Sequence, residues 1–135
     1  MKPIWFLAIL VLIVASCSPA NTDITDVLRR NVQAANDEDV STYMATMHPH
    51  SPVYASTETT IRQLIAVYDL SIQMESATVV ESSADEASVS VVLVTRLVSG
   101  PTFRDNRVTA TMILRRYDGE WRLYDQVIND IKYLN

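Results

Sequence analysis

Asp125 is the residue whose chemistry is least at home in its surroundings. It lies in the run Trp121-Arg122-Leu123-Tyr124-Asp125-Gln126-Val127, which is rich in strand-favouring residues. Under strict strand alternation, Trp121, Leu123, Asp125 and Val127 share one face, and three of those four are apolar. A carboxylate on such a face is a candidate general base where a substrate can reach it. It is equally a candidate ligand contact, or half of an ion pair with an arginine such as Arg96 or Arg116. Asn31, Tyr43, Tyr54 and Tyr68 are the other polar or amphipathic residues expected to face inward. With Trp121 and Asp125 they make up the candidate ligand-binding set. Tyrosine in such a place is often a core residue whose hydroxyl reaches water or a backbone partner.

Two further patterns invite chemistry and give less. His48-Pro49-His50 is a His-x-His pair on a proline-bounded stretch, and two imidazoles can begin a zinc or copper site. Such a site needs three or four ligands, and the chain has no third histidine, so an ordinary exposed loop is the expectation and no metal is assigned. No Gly-x-Ser-x-Gly elbow is present, and the two histidines sit together without an obvious orienting acid. No catalytic residue is assigned unless Asp125 acts as one.

The elements that must position these side chains follow from periodicity. Asp23 can cap a first helix whose stripe is Ile24, Val27, Leu28, Ala34 and Ala35, with Asn31 inside it. Asn36-Asp37-Glu38-Asp39 interrupts that pattern and suits the start of a shorter helix carrying Val40, Tyr43, Met44 and Met47. Pro49 and Pro52 end it. Thr57-Glu58-Thr59 leads a third helix with Ile61, Leu64, Ile65 and Tyr68. From Ser71 the period becomes two. Ile72, Met74, Ser76, Thr78 and Val80 share one strand face, and Val89, Val91, Leu93, Thr95 and Leu97 share the next. Asp118-Gly119 tolerates the positive φ of a type I′ turn and joins the third strand to the fourth. The order predicts an α+β fold with the helices on one face of an antiparallel sheet.

Composition bounds the function. The chain has 135 residues, 48% of them hydrophobic and 20% charged, and a formal charge of −5. That describes one globular domain and disfavours nucleic acid, whose phosphates need a basic surface. Two glycines in the whole chain leave no room for a glycine-rich phosphate loop, and no cofactor is expected.

The first residues read as an address. Lys2 precedes an apolar run from Ile4 to Val14, well short of the roughly 20 residues that span a bilayer. Val14-Ala15-Ser16-Cys17 resembles the lipobox of bacterial lipoproteins. The resemblance implies a lipoprotein signal peptide over residues 1–16, cleavage before Cys17, and acyl chains such as palmitate on Cys17. It further implies a lipidated tether over residues 17–22 and a folded domain over residues 23–135. Ser18 rather than aspartate after the cysteine favours the outer membrane, facing the periplasm, if the cell is Gram-negative. In a single-membrane bacterium the same signal means the outer face of the plasma membrane. Cys17 is the only cysteine, so no disulfide or thiol nucleophile remains.

The order of elements, the acidic break at Asn36-Asp37-Glu38-Asp39 and the ending Tyr117-Asp118-Gly119-Glu120-Trp121-Arg122-Leu123 resemble the nuclear transport factor 2-like superfamily. That superfamily includes SnoaL-like polyketide cyclases and ketosteroid isomerases. The resemblance implies a cone-shaped barrel, or cystatin-like roll, of three helices on a curved antiparallel sheet around a pocket. It also implies a habit of homodimerising through the sheet. Function is expected to be non-catalytic binding of a small apolar ligand or an envelope partner by a lipid-anchored cell-envelope protein. The alternatives are a cyclase- or isomerase-type enzyme with Asp125 as base, and a structural dimerisation or assembly module.

Overall fold

The computed structural model describes residues 19–134; the expected signal peptide, Cys17 and Ser18 lie outside the described residues. Three helices, α1 (Pro19–Asn36), α2 (Val40–Ala45) and α3 (Tyr54–Val67), precede four strands, β1 (Asp69–Ser82), β2 (Glu86–Ser99), β3 (Asn106–Tyr117) and β4 (Glu120–Tyr133). The strands form one antiparallel sheet in the order β1-β2-β3-β4, so every neighbour in space is a neighbour in sequence. The α+β architecture is the one expected.

Two helices start earlier than capping signals indicate. Helix α1 begins at Pro19 rather than after Asp23, so residues 19–22 of the expected tether are helical. Proline fits a first helical turn because the N–H it lacks has no partner there. Helix α3 begins at Tyr54, three residues before Thr57, directly after the Pro52-Val53 step. Between α1 and α2 the acidic break does two jobs. Glu38 takes a left-handed φ of 56° and reverses the chain. Asp39 caps α2 by accepting from the Thr42 N–H at 3.0 Å and the Thr42 hydroxyl at 2.6 Å. Those bonds hold its carboxyl below the usual range.

The core lies between α1 and the concave side of the sheet. Ile24, Val89, Ala110 and Leu114 are fully enclosed, and Val27, Leu28, Val91 and Ala87 surround them. Ile24, Val27 and Leu28 stand at i, i+3 and i+4, so one α1 stripe covers the sheet. Asp118 and Gly119 close the β3–β4 hairpin with φ of 49° and 75°, as the type I′ turn requires.

Bulges correct the expected faces. Met74 pairs with Leu93 but Ser76 pairs with Val92, so Glu75 is an extra residue on β1. Ile72, Met74, Ala77 and Val79 therefore pack inward, while Ser76, Thr78 and Val80 are exposed. On β4, Leu123 pairs with Leu114 and Asp125 with Ile113, leaving Tyr124 as the extra residue. Beyond it Gln126, opposite buried Met112, takes the inward register. Val127 turns outward at 53% exposure. A second bulge at Asn129 bends β4 again. Each inserted residue tightens the local twist, and together they curl the sheet into a cone.

One side chain fastens α1 to the edge of that sheet. Asn36 donates its amide to the Ile72 carbonyl at 2.8 Å and accepts the Ile72 N–H at 2.7 Å, standing in for a missing strand neighbour. Asn36→Ala leaves both Ile72 groups without these partners and is expected to cost about 1–3 kcal/mol. Urea unfolding measures this, and a change within about 0.5 kcal/mol, the range of an ordinary surface substitution, would remove the fastening role.

Candidate functional site

Helix α3 packs on α2 but stands off the sheet, with Ile61 as its only buried residue among those described. The reason lies in its sequence: Ser56, Thr57 and Thr60 occupy positions on the face turned to the sheet, where larger apolar residues would draw it down. The gap is a cavity of about 520 Å³. Leu93, Met112, Leu123 and Ile72 line its sheet side, Asn31, Val32 and Ala35 come from α1, and Tyr43 and Met47 from α2 and the turn after it. Leu64, at 36% exposure, and exposed Gln126 sit at its margin. The size suits a small organic molecule.

The polar groups lining this space are Asn31, Tyr43, Asp125, Gln126 and the hydroxyls of Ser56, Thr57 and Thr60. Asn31 donates to the Thr46 hydroxyl at 2.9 Å, and that hydroxyl donates to the Tyr43 carbonyl at 2.6 Å. Thr46 is buried at 1% exposure, so this chain of bonds locks the α1–α2 corner. Burial pushes the Tyr43 phenol up, with a hydrogen bond to Asn31 opposing it, so the hydroxyl stays neutral. Asp125 is half-buried on the cavity wall and accepts the Gln126 backbone N–H at 2.8 Å. No ion pair reaches it among the described residues. Arg96 faces Asp105 at 3.8 Å, and Arg116 donates to the Ala84 and Gly119 carbonyls.

The candidate set from sequence is thus divided. Asn31, Tyr43 and Asp125 meet at the cavity. Tyr54 lines a separate recess of about 360 Å³ with Glu58, Arg62 and Arg122. Tyr68 packs edge-on to Phe103, ring centres 5.6 Å apart, away from both spaces. Trp121 is a core residue at 4% exposure, with the Arg116 guanidinium 4.4 Å from its ring centre. Its Nε1 is buried without a partner among the described residues. Sequence reasoning missed Gln126, which the Tyr124 bulge brings to the cavity margin, and the hydroxyls of α3. Ser56, Thr60 and Leu64 recur every fourth residue, a helical signal that could have found that wall.

His48 departs from the exposed loop expected of it. It is buried at 8% exposure, with Tyr117 and Tyr124 edge-on at 5.4 and 5.3 Å. Its Nδ1 accepts the His50 N–H at 3.0 Å. The Met47–His48 backbone pairs with β4, where the His48 N–H donates to the Leu123 carbonyl at 2.7 Å. Burial lowers the His48 pKa below its ordinary value, with a hydrogen bond to the Arg116 backbone opposing and the charges of His50, Arg115 and Arg122 assisting. Because the folded state favours neutral His48, its stabilising contribution is present above about pH 6.5 and is lost as pH falls toward the folded value. Stability measured from pH 8 to 5 is expected to drop below about pH 6.5, less steeply in His48→Gln. Equal slopes would show that other groups set the acid response.

Comparison with known proteins places this geometry. A family model described as "Anti-sigma-I factor RsgI9, C-terminal domain" matches residues 26–134. The anti-sigma-I factor RsgI9 of Acetivibrio thermocellus is 31% identical over 100 residues, which is 73% of this chain and 14% of that protein. Among solved structures, a cystatin-like protein of unknown function from Nostoc punctiforme superposes with a TM-score of 0.67 at 15% identity, covering 82% of this chain and 90% of that one. An NTF2-like protein from Cytophaga hutchinsonii gives 0.68 at 14% identity over 80% and 95%. An NTF2-like protein of unknown function from Pseudomonas putida gives 0.67 at 15% identity over 80% and 84%. At these identities the structures establish the fold, which is the nuclear transport factor 2-like, cystatin-like cone.

Proposed function

We propose, from the premise that this chain belongs to the family of anti-sigma-I factor RsgI9 C-terminal domains, that it is a lipid-anchored envelope module holding a small, largely apolar ligand. The matched stretch is only 14% of the Acetivibrio relative, so what the match carries is a domain rather than anti-sigma activity. The observation behind the reading is the cavity of about 520 Å³ between α3 and the sheet, lined mainly by aliphatic and methionine side chains. A closed hydrophobic core does not need such a gap, because protein interiors pack with few voids larger than a water molecule. The lipobox at Val14-Ala15-Ser16-Cys17 supplies the anchor in this reading.

A ligand that binds only the folded state raises the melting temperature by mass action, by about 2.7 kcal/mol of stability at a hundred times its Kd. Screening small apolar compounds against the full chain in lipid nanodiscs, with empty nanodiscs as blank, is expected to find molecules that raise it. A broad series without any stabilising compound counts against a binding role. A second reading, an isomerase- or dehydratase-type enzyme, is favoured by one observation: Asp125 reaches the cavity wall with no compensating cation lining it among the described residues. It requires turnover that disappears in Asp125→Asn while the fold persists.

A further inference from the structure

We propose that this cavity selects its ligand by charge: it takes an apolar molecule whose polar end is cationic or a hydrogen-bond donor, received by Asp125, and it rejects carboxylates. The inference rests on the reading that the cavity holds a ligand, and it names the class.

Three observations carry it. First, among the described residues Asp125 is the sole charged side chain lining the cavity, and no lysine, arginine or histidine joins it there. Second, the carboxylate is free to accept. One oxygen takes the Gln126 N–H at 2.8 Å, and among the described residues the other has no protein partner. Third, the neighbouring cations are engaged elsewhere. Arg122 donates to the Ala45 carbonyl and faces Glu120 at 3.1 Å, Arg62 pairs with Glu58 at 2.8 Å, and Arg115 pairs with Glu86 at 2.8 Å.

The physical consequence follows from the cost of burying charge. A carboxylate entering this space loses water, finds no cation, and meets Asp125 as a like charge. An ammonium loses water too but gains a charge-assisted hydrogen bond to the open carboxylate oxygen. A neutral hydroxyl makes the same bond more weakly. The chain's net charge of −5 adds a long-range field of the same sign preference.

The test uses three probes with one body: adamantane bearing an aminomethyl, a hydroxymethyl or a carboxylate group. Affinities are measured by ligand-observed NMR at neutral pH on the full chain in lipid nanodiscs, with empty nanodiscs as blank. The expected order is amine, then alcohol, then carboxylate. The amine is expected to exceed the carboxylate by at least about tenfold, which is about 1.4 kcal/mol. In Asp125→Asn the difference should shrink to about threefold or less. Gln126→Lys, at an exposed marginal position, should weaken the amine preference without touching Asp125. Carboxylate bound as well as amine in the unmodified chain would overturn charge selection and leave the cavity reading standing. An unchanged order in both variants would also overturn it. If none of the three probes binds, the cavity reading itself fails, and this inference fails with it.

Discussion

Leu93→Trp is expected to abolish binding of apolar ligands while leaving the fold intact. Leu93 lies on the concave side of β2, between Met74 on β1 and Val108 on β3, and lines the cavity. Tryptophan keeps strand preference, and its indole occupies space that the ligand would otherwise fill. Filling a cavity commonly adds about 0.5–2 kcal/mol, so the melting temperature should hold or rise. Ligand affinity should fall at least about a hundredfold, or about 2.7 kcal/mol. Calorimetric titration beside a melting curve separates the two effects. A folded variant with undiminished affinity would place the ligand outside this cavity.

Cys17→Ser is the other large expected effect. The proposed anchor is acyl chains on one thiol, and membrane attachment scales with buried methylenes at about 0.8 kcal/mol each. One chain gives only marginal binding, whereas two or more hold firmly. A serine hydroxyl cannot carry the thioether-linked lipid. Fractionation of cells making this variant should therefore show either release from the membrane or an unprocessed precursor. Processing and membrane attachment unchanged from the unmodified chain would sink the lipoprotein reading.

Much of the fold was legible because its signals are local. Asp118-Gly119 announces a type I′ turn, and the stripe of Ile24, Val27 and Leu28 announces an amphipathic helix. The switch from period 3.6 to period two near Ser71 divides helices from sheet in the right place. What was not legible is what single inserted residues do. Glu75 and Tyr124 are bulges with no compositional mark, yet each shifts the register of the strand residues that follow it, up to the next irregularity. That is why Val127 lies outside and exposed Gln126 reaches the cavity margin, and why Ser76, Thr78 and Val80 left the core face.

The site was legible in part for a related reason. Helical spacing turns Asn31 and Tyr43 inward, and both line the cavity. Tyr54 and Tyr68 have the same amphipathic character, but which space each faces depends on how far α3 stands from the sheet, a tertiary property. His48 is buried by Tyr117 and Tyr124, which come from the distant closing hairpin, so nothing near it in sequence foretells its burial. Trp121, grouped with Asp125 by alternation, is a core anchor beneath Arg116.

The central claim is that the space between α3 and the sheet is a ligand site. The direct measurement is methyl NMR on the full chain in lipid nanodiscs, bound to an apolar compound that raises its melting temperature. The account predicts ligand contacts to the methyl groups of Ile61, Ile72, Leu93, Met112 and Leu123, all lost in Leu93→Trp. Contacts confined to the exposed residues Val127, Ile128 and Ile131 of β4, or persisting unchanged in Leu93→Trp, would contradict it.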